Sequence, residues 1–323
     1  MHSVGLVLHP KRDSAEAVEA VLSWAAGHGA AVYGIEGEIA RLNCAATPLP
    51  AEKLAAHSEL LVSLGGDGTM LRAMRLADGQ HTKVLGVNLG KLGFLADVDV
   101  PELPQALSAI DAKEYTVEPR LAIDSTVAGQ LVTAFNDIAL VRFPGDAVAS
   151  VAVRVSGQPF VSYAADAIVV ATPTGSTAYS FSAGGPIVSP GVEALLVTPA
   201  APHSAYNRGV VLSLRDNVEL EMLPASGRLA VEVDGQVAGY IEPGEQLQIR
   251  PRPAAAQVVR LGHTTFYQRA RRKLRITDSA EIPEFRGEVQ GILCITNSGS
   301  RPPTRQCCPG EWPGSTGRFG MAS

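Results

Sequence analysis

Residues 64–69 read LGGDGT and place one carboxylate, Asp67, among three glycines. The loop lies between an apolar stretch, ELLVSL, and a segment with helical spacing, MLRAMRLAD. A glycine-rich turn between a parallel strand and a helix binds phosphate, because its N–H groups favour negative charge. A carboxylate there is explained by general-base chemistry on a nearby hydroxyl, or by Mg²⁺ between acid and phosphate. The alternative is a turn in which Asp67 or Thr69 caps the helix.

Arg72 favours the phosphate interpretation. If the helix begins near Met70, Arg72 lies in its first turn, where the helix dipole disfavours a cation unless an anion is bound. The alternative is a solvated arginine on the outer face of the helix. The loop matches neither GxxxxGK[ST] nor GxGxxG, so the two best-known phosphate-binding patterns are excluded.

A second glycine-containing loop follows the next predicted strand, within VLGVNLGKLGFLAD at residues 84–97. Because the carboxyl ends of parallel strands meet at one edge of a sheet, this loop is expected beside the first one. Lys91 is a candidate to neutralise phosphate, and Phe94 is a candidate to pack against a base or ribose. The alternatives are a solvated lysine and a core phenylalanine.

Two polar segments follow in the second half of the chain. In FNDIALVR, residues 135–142, Asn136 and Asp137 begin an apolar strand, where they can bind ribose hydroxyls or cap a local turn. The longer segment, residues 166–190, reads DAIVVATPTGSTAYSFSAGGPIVSP and suits a ligand with several hydroxyls and phosphates. A hydroxyl-rich structural turn explains its composition but not its length. Its hydroxyl side chains are Thr172, Thr174, Ser176, Thr177, Ser180 and Ser182.

The periodicity divides the chain. Strands alternating with helices over residues 1–117 predict a parallel sheet with helices on both faces. Alternating segments separated by Ser-Gly and Asp-Gly pairs predict an all-β domain, a sandwich or stacked sheets, over 118–262. A basic helix, TFYQRARRKLRI, is predicted within 263–279. Residues 280–323 have no sustained period and are predicted to be a disordered tail.

Composition narrows the class of protein. The chain has 323 residues, a formal net charge of −5 and a pI near 5.8, which argues against nucleic-acid binding. No apolar run reaches the length of a membrane span, and the N-terminus lacks the pattern of a signal peptide. We therefore expect a cytoplasmic protein. The four cysteines have neither metal-ligand spacing nor the arrangement of a disulfide framework.

Six segments together resemble the NAD kinase family in their order and approximate spacing, over about residues 3–276. They are LGGDGT, GVNLGKLGFL, FNDIAL, DAIVVATPTGSTAYSFSAGGPIVSP, TPAAPHS and VEVDGQ. GGDGT alone also occurs in diacylglycerol, sphingosine and 6-phosphofructokinase-type kinases, whereas TPTGSTAYSFSAGGP is far more specific. The resemblance implies a Rossmann-like α/β N-terminal domain, an all-β, sandwich-like C-terminal domain, and a final helix that packs back on the first domain.

The resemblance also implies an activity. It is phosphoryl transfer from ATP or polyphosphate to the 2′-hydroxyl of the adenosine ribose of NAD, giving NADP. Mg²⁺ is implied as the partner of the donor, NAD and ATP as small-molecule partners, and a homo-oligomer, a dimer or tetramer, as the assembly. Two other functions stay open at this point: a non-catalytic NAD(P)-binding sensor, and a lipid kinase that shares the catalytic domain.

Site residues are carried over position by position. Asp67 matches the proposed general base, and the Asn136–Asp137 pair matches the family's ribose-binding Asn-Glu pair. Position 137 is thus Asp where the family usually has Glu, which predicts a longer or water-mediated hydrogen bond to the ribose. Tyr179 falls in a run that grips adenosine, partly across a subunit interface. The full set of implied binding positions is Gly66, Gly68, Arg72, Asn136, Asp137, Asp166, Thr177, Ala178, Tyr179, Ser182, Ala201 and Gln236.

Overall fold

The structure is a computed structural model that describes residues 1–90, 93–262 and 264–276. The strands are β1 Ser3–Leu8, β2 Ala31–Ile35, β3 Thr47–Leu49, β4 Leu60–Gly65, β5 Lys83–Asn88, β6 Val98–Asp99, β7 Thr116–Val127, β8 Gln130–Ala134, β9 Asp137–Arg142, β10 Ala149–Val155, β11 Gln158–Ala165, β12 Ala167–Ala171, β13 Ala194–Ala200, β14 Val210–Ser213, β15 Val218–Met222, β16 Leu229–Val233, β17 Gln236–Ile241 and β18 Gln246–Arg260. The helices are α1 Ala15–His28, α2 Glu36–Leu42, α3 Ala51–Leu54, α4 Asp67–Ala77, α5 Leu103–Asp111, α6 Tyr179–Ser182 and α7 Phe266–Leu274. No helix in these described ranges is long and apolar enough to cross a membrane. The predictions for Lys91 and for the tail at 280–323 lie outside the described residues.

The N-terminal half is a parallel sheet in the order β3-β2-β1-β4-β5. Its central strands β1, β4 and β5 are almost wholly buried because helices cover both faces, which is why they read as continuous apolar runs. α1 and α5 pack with one core cluster, and α3 and α4 pack with another. The predicted α/β arrangement is confirmed.

The C-terminal half is antiparallel. A six-stranded sheet has the order β14-β13-β12-β9-β16-β17. It shares a large core cluster with β7, β10, β15 and β18 of the other sheet, so two sheets face each other across buried side chains. The sandwich-like prediction is confirmed.

Strand β18 connects the two halves. It pairs in parallel with β5 and antiparallel with β7 and β15, so hydrogen bonding continues from the parallel sheet into the antiparallel strands. The predicted domain boundary at residue 117 stays a prediction, because β7 begins at Thr116 and belongs to this continuous sheet.

Helix α7 returns to the N-terminal half, as predicted. Thr265 and Gln268 form a capping box that starts the helix. Arg269 then donates to Asp97 at 2.9 Å, and the Lys273 ammonium lies 5.8 Å from the centre of the Phe94 ring. Both contacts are with the segment that follows β5.

Candidate active site

Asp67 is the first residue of α4, directly after the turn that ends β4. Its Oδ1 atom accepts hydrogen bonds from the backbone N–H groups of Phe94 and Leu95, each at 3.0 Å. A Cβ atom at Gly93 would lie 2.3 Å from that oxygen, so only glycine permits this approach. The two glycine-containing loops therefore lie side by side, as predicted. Phe94 is buried, which agrees with the core interpretation of this residue.

Two expectations about α4 are wrong. Gly66 is the N-cap and no side chain caps the helix, because the Asp67 carboxylate turns to the neighbouring loop instead. The helix also begins at Asp67, before Met70, so Arg72 lies in its second turn and the dipole argument does not apply. Arg72 pairs with Glu38 at 2.5 Å and donates to the Leu8 carbonyl at 2.6 Å.

A pocket of about 490 Å³ opens in front of Asp67. Its wall combines the glycine loop with the segment after β1 and with the start of β17. The lining residues are His9, Pro10, Arg12, Gly66, Asp67, Gly68, Thr69, Arg72, Arg75 and Gln236. The pocket thus lies at the carboxyl ends of β1 and β4, where open parallel sheets bind ligands. A cavity of similar volume, about 480 Å³, lies at the opposite ends of β4 and β5 and contains none of the predicted site residues.

His9 is neutral in this pocket. Burial lowers its pKa, and the neighbouring charges of Arg12, Arg41, Arg72 and Lys11 lower it further. The Nδ1 atom accepts the backbone N–H groups of Lys11 at 3.0 Å and Arg12 at 2.9 Å. The imidazole proton therefore resides on Nε2, which leaves a neutral donor beside several cations.

The turn between β16 and β17 fixes the start of β9. The Asp234 carboxylate accepts the backbone N–H groups of Phe135 at 3.2 Å, Asn136 at 2.7 Å and Asp137 at 3.2 Å. It also pairs with Arg75 of α4 at 2.7 Å, and its side chain is only 1% exposed. Asp234 thus connects the segment with the predicted Asn136–Asp137 pair to the helix that begins with Asp67.

Asp137 is buried, and its pKa is raised to about 7. Burial is the largest cause; the nearby charges of Asp234 and Glu232 act in the same direction, and the backbone N–H of Tyr179 opposes them. The pKa of the Tyr179 hydroxyl is raised by burial and by Glu232, Asp137 and Asp166. These side chains therefore share one partly buried acidic environment on the six-stranded sheet.

The hydroxyl-rich segment divides into two sets. Thr172 donates to the Phe135 carbonyl at 2.6 Å, Ser176 donates to the Pro173 carbonyl at 2.7 Å, and Ser180 hydrogen-bonds Thr198 at 2.9 Å. These three hydroxyls are buried and hold the segment's own fold. Thr177 and Ser182, the two hydroxyls in the predicted set, instead make long contacts of 3.4 Å to backbone carbonyls.

The predicted residues form two groups. Gly66, Asp67, Gly68, Arg72 and Gln236 line the pocket. The others lie on the six-stranded sheet or the segments beside it. There Asp166 pairs with Arg142 at 2.6 Å, and both Ser182 and Ala201 are exposed. The second group comprises Asn136, Asp137, Asp166, Thr177, Ala178, Tyr179, Ser182 and Ala201.

Several residues at or behind the site were not identified from the sequence. Asp234 belongs to an Asp-Gly pair that predicts only a turn, and no motif marks Arg75 or His9. Glu118 and Arg120 form an ion pair at 3.0 Å, although Arg120 is 2% exposed. Charged residues inside otherwise apolar strands were the available signal, because buried charges need partners.

Comparison with known proteins agrees with this geometry. Two family models match the chain: the ATP-NAD kinase N-terminal domain over residues 4–115 and the ATP-NAD kinase C-terminal domain over residues 135–261. NAD kinase 1 of Streptomyces avermitilis is 38% identical over 315 residues, covering 85% of this chain and 88% of the relative. The NAD kinase of Desulforamulus reducens is 36% identical over 281 residues, covering 85% and 98%.

Solved structures show the same fold. Yeast NADH kinase complexed with NADH superposes with a TM-score of 0.73 at 25% identity, covering 85% of this chain and 87% of that one. An NAD kinase from Archaeoglobus fulgidus in complex with ATP gives a TM-score of 0.68 at 24% identity, covering 84% and 98%. The second likeness shows the fold alone.

Proposed function

The chain belongs to the NAD kinase family, and from that premise we propose that it transfers the terminal phosphoryl group of ATP to the 2′-hydroxyl of the adenosine ribose of NAD. The products are NADP and ADP. The observation that carries the proposal is the position of Asp67, whose carboxylate lies at the carboxyl end of β4, in the wall of a pocket lined by cations.

In this reaction Asp67 is the general base. An alcohol is a weak nucleophile at neutral pH, so a carboxylate that orients the hydroxyl and accepts its proton lowers the barrier. Oδ1 of Asp67 already accepts two N–H groups, whereas among the described residues Oδ2 accepts one hydrogen bond, at 3.2 Å from the Phe94 nitrogen. Oδ2 is therefore the atom that takes the proton as the ribose oxygen bonds to phosphorus and the β–γ bridging bond breaks.

Residues around the pocket bind the donor phosphates. Arg12, Arg72 and Arg75 supply positive charge, and His9 supplies a neutral Nε2–H donor. Glu38 holds Arg72 in place and partly neutralises it, so Arg12 is the cation that contributes most to the field. Arginine suits this role because its planar fork matches phosphate oxygens.

We propose that Mg²⁺ accompanies the donor. No group of three or more His, Cys, Asp or Glu side chains within residues 1–90, 93–262 and 264–276 is placed to hold a metal ion. A single carboxylate beside several arginines fits an ion that is chelated chiefly by phosphates. When bound, Mg²⁺ would neutralise the charge that develops on the transferring group.

The acceptor dinucleotide extends from Asp67 towards the six-stranded sheet. We infer that Asn136 and Asp137 bind ribose hydroxyls, with Tyr179 beside Asp137. We place the remaining residues of the second group along this path. Contact of Tyr179 with a second subunit, a homo-oligomer and a cytoplasmic location stay predictions.

The test is NADP formation from NAD, ATP and Mg²⁺, followed with an NADP-specific dehydrogenase. We expect product from the wild type and none above background from Asp67→Asn. NAD-induced thermal stabilisation without turnover in the wild type would contradict the proposal and favour the sensor. Polyphosphate as donor and NADH as acceptor are tested in the same assay, and diacylglycerol as acceptor tests the lipid kinase.

A further inference from the structure

A charged network lies behind the loop that holds Asp67. The side chains of Arg120, Arg260 and Arg269 are 2%, 8% and 4% exposed. Burying a charge costs several kcal/mol unless it is paired, so three such arginines in one place need an explanation. Two carboxylates, Asp97 and Glu118, lie among them.

Leu95 is held from two sides. Its N–H group donates to Oδ1 of Asp67 at 3.0 Å, and its carbonyl accepts from Nη1 of Arg260 at 2.8 Å. The loop is anchored again two residues later, because Asp97 accepts from Arg269 at 2.9 Å and from the backbone N–H of Leu261 at 3.0 Å. One of the two residues that donate to Asp67 is thus held by Arg260, and the same loop is anchored by Arg269 two residues later.

The network continues to the hydroxyl-rich segment. Nε of Arg260 donates to Oε2 of Glu118 at 2.6 Å. The other oxygen of Glu118 pairs with Nη2 of Arg120 at 3.0 Å, and Nη1 of Arg120 donates to the Thr174 hydroxyl at 3.1 Å. A continuous path of hydrogen bonds and one ion pair therefore joins the Asp67 loop to the segment that carries Thr177 and Tyr179.

Glu118 is ionised in this path. Burial raises its pKa, but the charges of Arg120 and Arg260 more than offset that effect, so the net change lowers the pKa. An ionised Glu118 holds both guanidinium groups near it, since one oxygen accepts a hydrogen bond from Arg260 and the other forms an ion pair with Arg120.

We propose that Arg260 is a positioning residue for the phosphoryl transfer: it fixes Leu95, and through Leu95 the carboxylate of Asp67, relative to the hydroxyl-rich segment that contains Thr174. Arg260 does not line the pocket in front of Asp67. The inference rests on the proposed function, because it assigns Arg260 a role in the reaction of Asp67. The physical reason is that a displacement of about 1 Å in a reacting group can cost about 100-fold in rate.

The test compares Arg260→Met with Arg260→Lys. The methionine keeps much of the volume but donates no hydrogen bond, whereas lysine restores a donor without the fork that bridges Glu118 and Leu95. We expect Arg260→Met to lower kcat about tenfold or more while KM for NAD changes less than about threefold, and Arg260→Lys to recover part of kcat. Assays are run well below the melting temperature of each variant.

Arg252→Met is the matched control. Arg252 pairs with Asp78 beyond the other end of α4 and with Asp124 at 2.9 Å, so its loss also leaves carboxylates unpaired. We expect a lower melting temperature but a kcat within about twofold of the wild type.

A wild-type kcat in Arg260→Met, or an equal loss of kcat in Arg252→Met, would overturn the proposal. If Arg260→Met does not fold, Arg260→Lys decides: a kcat reduced about threefold or more supports the proposal, and an unchanged kcat refutes it. Failure of the wild type to form NADP would instead refute the proposed function.

Discussion

Two Asp-Gly pairs, Asp67-Gly68 and Asp234-Gly235, make the same carboxylate-to-backbone interaction, but the interaction serves a different purpose in each. Each carboxylate accepts backbone N–H groups from a neighbouring segment: Asp67 from two residues and Asp234 from three. Asp234 is 1% exposed on its side chain and is neutralised by Arg75. Asp67 lies in the pocket wall.

The difference lies in what else each carboxylate contacts. The Asp234 carboxylate accepts hydrogen bonds from backbone N–H groups and from the Arg75 guanidinium, so it fixes the distance between β9 and α4. Asp67 is held firmly on one oxygen and lightly on the other, so it is both oriented and available. A carboxylate bound by N–H groups is therefore structural where it is enclosed, as at Asp234, and open to a ligand where it lines a pocket, as at Asp67.

The largest expected effect is a loss of turnover, and it distinguishes Asp67 from Asp234. Asp67→Asn keeps an acceptor for Phe94 and Leu95 but cannot take a proton, so we expect kcat to fall by about 10³-fold. The melting temperature should change by only a few degrees, and NAD should still bind. Steady-state rates, thermal melts and calorimetric NAD binding check this. Near-normal turnover would remove Asp67 as the base.

Asp234→Ala should instead act mainly on stability. It leaves three N–H groups and Arg75 without their acceptor, and we expect the free energy of unfolding to fall by about 3–5 kcal/mol. Urea denaturation measures this loss. If Asp67→Ala lowered the free energy of unfolding equally, the distinction between a structural Asp234 and a functional Asp67 would not hold.

Gly93→Ala tests how closely the second loop must approach Asp67. The added methyl group would lie 2.3 Å from Oδ1, so the loop or the carboxylate has to move. We expect a loss of kcat of about 10- to 100-fold. Gly27→Ala in α1 is the control outside the pocket, because a Cβ there meets no atom within 4 Å. If the two variants have the same kcat, the close approach of Gly93 to Asp67 is not critical for the reaction.

The smallest expected effect concerns pH. The pKa of Asp137 is about 7 in the folded protein and near 3.8 ordinarily, so the folded state retains a proton that the unfolded chain releases. Stability from this group is therefore lost as pH rises from about 4 to about 7. Asn cannot ionise, so the melting temperature of ligand-free Asp137→Asn should rise relative to that of the wild type as the pH increases from 5 to 8. A pH-independent difference would contradict the raised pKa.

The fold class could be read from the sequence because periodicity reports burial directly. Continuous apolar strands in the first half and alternating strands in the second both appear in the structure. The start of α4 could not be predicted from the sequence, because Gly66 and Gly68 are weak helix formers and tertiary contacts of Asp67 decide where the helix begins.

The candidate site was only partly predictable for a similar reason. Motifs identified Asp67 and the Asn136–Asp137 pair, since their neighbours in sequence carry the pattern. Asp234 and Arg260 act on residues about 100 or more positions away in the chain, and no local pattern records such partners. Side-chain pairing across sheets becomes visible only in three dimensions.

Strand β18 also has a consequence for biosynthesis. Arg260 reaches Leu95 across 165 positions of sequence, and Arg269 reaches Asp97 across 172. Contacts this distant form late, after the intervening chain has closed its loops. A nascent chain carries the GGDGT loop early in translation, but the arginines that fix the Leu95–Asp97 segment are added 165 or more positions after it. A chain terminated before the end of β18 would therefore hold the motif without the arginines that align it.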